Sequence, residues 1–189
     1  MIPNLINYIK RYIKISESEI NLFNSYLKPK KLNKKEYLLK PDKICKSRYF
    51  ITKGCLRVFY IDNKGNEQIV HFAIENWWIT DYESLVNQVP SKLHIQTTEE
   101  TEILELNQKD FETLCNIHPK IERLFRIIME KTYIASQKRL EYMFSLSGEE
   151  LYKTFITTNP EFSQRVPQYM IASYLGMTPE FISKIRAKK

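Results

Sequence analysis

The chain has 189 residues and a net charge of +7, with 13% aromatic residues and only four glycines. That length allows a domain of ordinary size plus a small one, and the composition excludes a disordered or low-complexity chain. No apolar run approaches the roughly twenty residues of a bilayer span. Cys45, Cys55 and Cys115 are single, widely spaced and odd in number, so they suit a reducing cytoplasm and small buried hydrophobes. No metal and no bound cofactor is expected from them.

Residues 2–27 read as helix, because Leu5, Ile6, Ile9, Ile13, Ile20, Phe23 and Leu27 recur at helical spacing. Lys10, Arg11 and Lys14 interrupt the apolar residues and no cleavage site follows, so a signal peptide is not expected. Ser16 and Glu19 have the spacing of a capping box. The lysine cluster Lys28, Lys30, Lys31, Lys34 and Lys35 reads as a solvated face. From Lys34 to about Leu106 the period becomes two. Tyr37–Leu39, Tyr49–Ile51, Leu56–Ile61, Gln68–Phe72 and Lys92–Gln96 are short and rich in β-branched and aromatic residues, with Pro and Gly turns between them. Short strands at this spacing predict an antiparallel barrel or jelly roll.

Asn107 caps a small helix to Cys115, and Pro119 opens the longest helical stretch, to about Leu146. Ile121, Leu124, Ile128, Ala135 and Tyr142 form its stripe, widened by Phe125, Met129, Tyr133, Leu140, Met143 and Phe144. A stripe this broad would serve a second protomer, and burial against its own domain would serve it as well. A helix over 148–157 and an extended piece, Phe162–Val166, lead to the last segment.

Residues Gln168 to Lys189 fit the spacing of a helix-turn-helix. Ile171, Leu175, Met177, Ile182 and Ile185 are the clamping apolar positions, Ala172 permits a close helix crossing, and Gly176 stands where the turn needs positive φ. Thr178, Pro179 and Glu180 restart a helix as N-cap, first position and dipole partner. Its outer face carries Glu180, Ser183, Lys184 and Arg186 or Ala187, side chains of the kind that can reach into a major groove. Gln168, Thr178, Arg186 and Lys188 are the expected phosphate contacts. A helical hairpin that merely caps the domain would satisfy the same apolar spacing. Charge is distributed as +9 over residues 1–53, −6 over 54–120, +1 over 121–159 and +3 over 160–189, so a basic tail follows an acidic middle.

The order of β-rich module, long helix and terminal helix-turn-helix resembles the CRP/FNR family of bacterial regulators, over nearly the whole chain. Tyr49–Phe59 is similar to the family's strand–Gly54–strand hairpin, Asp62–Glu67 to its next turn, and Ile171–Glu180 to its DNA motif. The short length and the ending are similar to compact members from Bacteroidetes. The resemblance implies an α+β fold: an N-terminal antiparallel β jelly roll of cyclic-nucleotide-binding type (residues 1–118), a dimerisation helix (119–146) and a C-terminal winged-helix or helix-turn-helix domain (147–189). It implies a cytoplasmic homodimer on palindromic double-stranded DNA, with the existence and identity of a small-molecule effector left open.

The departures are specific. Members that bind cyclic AMP carry a Gly-Glu pair followed by an arginine; the corresponding stretch here, Glu75–Leu85 through Ser91–His94, has neither. Between Gly65 and Gln108 the only fixed cation is Lys92, against eight acids, whereas a buried phosphate needs charge-assisted donors. Cyclic-nucleotide binding is therefore disfavoured. Three isolated cysteines cannot supply the iron–sulfur cluster of the redox branch, and His71, His94 and His118 read as strand or cap residues. Trp77 and Trp78 read as core. In the recognition helix the family often presents Arg-Glu-x-x-x-Arg, and this chain has Pro179, Glu180 and Lys184 there. Glu180 can accept from a cytosine amino group and Lys184 can donate to a guanine edge. Any wing must come from Phe162–Val166, with Arg165 as its contact. No nucleophile elbow, HExxH or P-loop supports an enzyme. The alternative is a ligand-binding or interaction module whose C-terminal hairpin docks a protein.

Overall fold

The computed structural model describes residues 3–187. Helices α1 (Pro3–Lys10) and α2 (Glu17–Ser25) precede strands β1 (Lys28–Leu32), β2 (Tyr37–Leu39), β3 (Ser47–Lys53), β4 (Leu56–Ile61), β5 (Glu67–Ala73) and β6 (Trp78–Ile79). Helix α3 (Tyr82–Asn87) separates these from β7 (His94–Thr97) and β8 (Thr101–Asn107). The remainder is helical: α4 (Gln108–Ile117), α5 (Pro119–Ser145), α6 (Gly148–Thr158), α7 (Pro160–Arg165), α8 (Gln168–Leu175) and α9 (Pro179–Ala187).

The strands form two four-stranded sheets, ordered β1-β8-β3-β6 and β2-β7-β4-β5. The pairs β1/β8, β3/β8, β3/β6 and β2/β7 are antiparallel. In the first sheet Leu104 and Leu106 of β8 share one buried face, Ile103 is buried on the other, and Phe50 of β3 stands opposite Leu104 on one side and Trp78 on the other. Leu5, Ile9, Ile13, Phe23 and Leu27 from the N-terminal helices complete this cluster with Leu114, Ile121, Leu124, Phe125 and Ile128. Trp78 packs its ring 5.2 Å from Phe50 and 4.9 Å from Phe125. Trp77 is partly exposed. The capping box at Ser16 and Glu19 is present, as is a second at Ser147 and Glu150.

Several elements escape the periodicity reading. The lysine cluster over 28–32 is a strand, with Lys30 bridged to Glu105 at 2.6 Å and Lys31 to Glu102 at 2.9 Å. It is an outer strand, where exposed lysines discourage pairing with another chain. The piece Phe162–Val166 is not extended. Pro160 starts helix α7, and Phe162 and Val166 fall four residues apart so that both are buried. The stretch expected to build a wing is thus helical, and Arg165 ends that helix.

The chain divides into two compact units. One combines the residues up to Val58 with Phe72–Glu130; the other combines Phe59–His71, the outer part of the β4–β5 hairpin, with the residues from Lys131 on. The second unit is held by Phe155, stacked on Phe162 with centroids 6.1 Å apart and 5.4 Å from Tyr174, and by buried Leu151, Met170, Ile171, Leu175, Ile182 and Ile185. No helix among the described residues is long and apolar enough to cross a membrane.

Candidate nucleic-acid interface

The α8–α9 pair is built as its sequence dictates. Ala172 is fully buried, which lets α9 approach α8, and Ile182 and Ile185 give α9 its inner face. α8 ends at Gly176 with φ 68°, ψ 31°; its N–H returns to the last turn, and the Met177 N–H returns to the Ala172 carbonyl at 2.9 Å. Thr178 Oγ1 then accepts from the Phe181 N–H at 3.2 Å, an N-cap that leaves the start of α9 open to solvent.

The side chains left outside are polar. Glu180, Ser183 and Lys184 are exposed and, at spacings of three and four, share the face opposite Ile182 and Ile185. Thr178 and Pro179 are exposed beside them. Glu180 lies in the first turn and Lys184 and Arg186 in the last, which suits the helix dipole. Arg186 donates to Gln168 Oε1 at 3.2 Å, tying the end of α9 to the start of α8 and bringing these two expected phosphate contacts together. Arg165 ends α7, and Lys188 falls outside the described residues. Sequence reasoning missed Phe181. It is 42% exposed and occupies the space beside Gly148, where an added Cβ would come within 2.7 Å of its ring. Bare Gly148 at the start of α6 was the available signal.

The region that would have to hold a nucleotide phosphate is closed by its own groups. Asp81 is buried and caps α3, accepting from the Ser84 N–H at 3.2 Å and from the Ser91 hydroxyl at 2.6 Å. Ser84 Oγ accepts from the Cys45 N–H at 2.8 Å and donates to the Val89 carbonyl at 2.6 Å. A buried carboxylate therefore stands where a phosphate would need donors, and the residues do not fit that ligand. Of the buried arginines among the described residues, Arg57 directs Nε and Nη2 to Gln96 Oε1 at 3.0 and 2.7 Å. Arg48 bonds Gln108 Oε1 and lies 3.9 Å from the centroid of Phe111. His71 and His94 sit on strands and His118 ends α4, within 3.6 Å of Glu19. No group of three or more His, Cys, Asp or Glu among the described residues is placed to hold a metal ion.

The first half of α5 buries Ile121, Leu124, Phe125 and Ile128. Its second half leaves Tyr133, Ile134, Leu140, Met143 and Phe144 exposed, Phe144 by 88%.

Comparison with known proteins agrees with this architecture. Residues 29–118 match the cyclic nucleotide-binding domain family. The fumarate and nitrate reduction regulatory protein of Vibrio cholerae is 24% identical over 183 residues, covering 90% of this chain and 72% of that protein. Among solved structures, FixK2 from Bradyrhizobium japonicum superposes with a TM-score of 0.70 at 16% identity, covering 86% of this chain and 83% of its own. A CRP/FNR-family regulator from Eubacterium rectale gives 0.72 at 13% identity, covering 96% and 87%. Residues 29–118 thus carry a cyclic-nucleotide-binding-type β module, the mixed α+β fold is that of CRP/FNR-family structures, and the sequence is similar to those of anaerobic regulators.

Proposed function

We propose that the chain is a DNA-binding transcriptional regulator that reads palindromic sites as a homodimer and does not use a cyclic nucleotide. The observation that carries this reading is the exposed face Glu180, Ser183 and Lys184 on α9, held at a fixed turn by Gly176. Glu180 accepts from a cytosine amino group and Lys184 donates to a guanine edge, while Gln168, Thr178 and Arg186 position the phosphates. Lys188, outside the described residues, is a further proposed phosphate contact. Pro179 in place of an arginine removes one contact, so the preferred operator differs from the family's common one.

The apolar residues exposed along the second half of α5 support dimerisation through residues 119–146. Two-fold symmetry then sets the recognition helices about 34 Å apart, one DNA turn. Residues 1–118 act as the sensor and 147–189 as the reader. Selection of bound sequences from a random duplex pool tests the proposal: a palindromic consensus supports it, and no enrichment points instead to a hairpin that docks a protein.

A further inference from the structure

Strand β5 is the outer strand of its sheet, so part of its main chain has no neighbouring strand to bond. Two of its groups are taken by a single side chain of α8. Ser173 Oγ accepts from the Ile69 N–H at 2.9 Å and donates to the Glu67 carbonyl at 2.9 Å. One hydroxyl thereby supplies the donor and the acceptor that an added strand would offer.

Arg139, on α5, makes the matching connection. Its Nη1 donates to the Val70 carbonyl of β5 and its Nη2 to the Tyr174 carbonyl of α8, each at 2.7 Å. The guanidinium lies 3.9 Å from the centroid of the Tyr174 ring. The Tyr174 carbonyl belongs to the last turn of α8, where the dipole favours a cation. The planar fork reaches the two carbonyls through separate nitrogens while its face meets the ring, a geometry that suits a guanidinium better than an ammonium point charge.

We infer that Ser173 and Arg139 are positioning residues that latch the first helix of the motif to strand β5, so that selective DNA binding depends on β5 as well as on the face of α9. The inference rests on the DNA-reading function proposed above. Base-edge contacts need α9 in one pose, and a reading head free to pivot must be ordered anew at each binding event. Phosphate contacts tolerate such pivoting, so non-specific binding does not depend on the latch. β5 itself continues through Phe72 and Ala73, which belong to the other unit, so a ligand or partner that displaces β5 acts on α8 through these bonds.

The test uses the full chain with Ser173→Ala, Ser173→Thr and Arg139→Gln. It follows amide exchange at Ile69 by NMR and affinity for a selected duplex and a scrambled one. Ser173→Ala is expected to speed Ile69 exchange at least about ten-fold. The same change lowers affinity for the selected duplex about five-fold, and Arg139→Gln lowers it about ten-fold, with the scrambled duplex bound as before. Ser173→Thr, which keeps the hydroxyl, restores both readouts. Faster Ile69 exchange with an unchanged ratio of the two affinities overturns the latch while leaving DNA reading intact. A wild-type chain that does not discriminate the duplexes overturns the DNA reading, and the latch with it.

Discussion

Helices α3 and α9 both begin at a polar cap, and the two starts have opposite fates. At α3 the cap is a carboxylate, Asp81, buried and also bonded to Ser91. The positive end of the helix is thus neutralised from within, and an outside anion meets a charge of its own sign. At α9 the cap is a neutral hydroxyl, Thr178, exposed to solvent and followed by Pro179 and Glu180. The same local device is sealed in one unit and open to solvent in the other. Chemistry and burial of the cap, and not the helix start itself, separate a structural joint from a reading surface.

Substitutions at the two starts break this comparison in different currencies. The largest effect is expected for Asp81→Ala, which removes the N-cap and the short bond from the Ser91 hydroxyl, leaving that hydroxyl only the longer bond to the Leu93 carbonyl. It should cost about 2–3 kcal/mol of stability in chemical denaturation. DNA affinity per folded molecule should not change, and loss of base preference in this variant would refute the division of labour. Lys184→Ala should do the reverse. Stability stays within about 0.5 kcal/mol, while discrimination at one base pair falls by about 1–3 kcal/mol in competition binding.

Gly176→Ala tests the turn between the helices. With φ at 68° an alanine is strained, and a loss of about 1 kcal/mol in thermal unfolding is expected, accompanied by weaker selective binding. A separate effect, confined to acid pH, is expected at His71. Removal from water, and then the Arg139 guanidinium, push its imidazole from the usual 6.5 down to about 4. The folded chain therefore holds it neutral, while the unfolded chain takes up a proton as the pH drops below about 6.5. Its contribution is complete above that pH and is lost as pH falls towards 4. His71→Gln should flatten the stability–pH profile in that window, and an unchanged profile would remove His71 from the account.

Much of this was legible in the residues. β4 spans the six residues Leu56–Ile61 read from the sequence, because β-branched and aromatic residues fill it between turns, although its first four residues are all buried and no alternation survives. The Gly176 turn was legible for a different reason: positive φ leaves few residue types to choose from. β1 was hidden because four of its five residues are exposed and only Leu32 is buried, so an outer strand reads as a solvated charge run. β6 is two residues long and gives no period to detect. α7 carried a readable signal, proline at its first position and Phe162 and Val166 four apart, which the family's wing displaced. Ser173 and Arg139 left no trace in periodicity, since both bond main-chain groups remote in sequence.

The central claim is that the output end works without the nucleotide chemistry of the family. It is tested most directly by titrating the selected palindromic duplex into the purified protein with and without 3′,5′-cyclic AMP. The account predicts selective binding in the absence of nucleotide, unchanged when it is added. Selective binding that appears only with the nucleotide would contradict it.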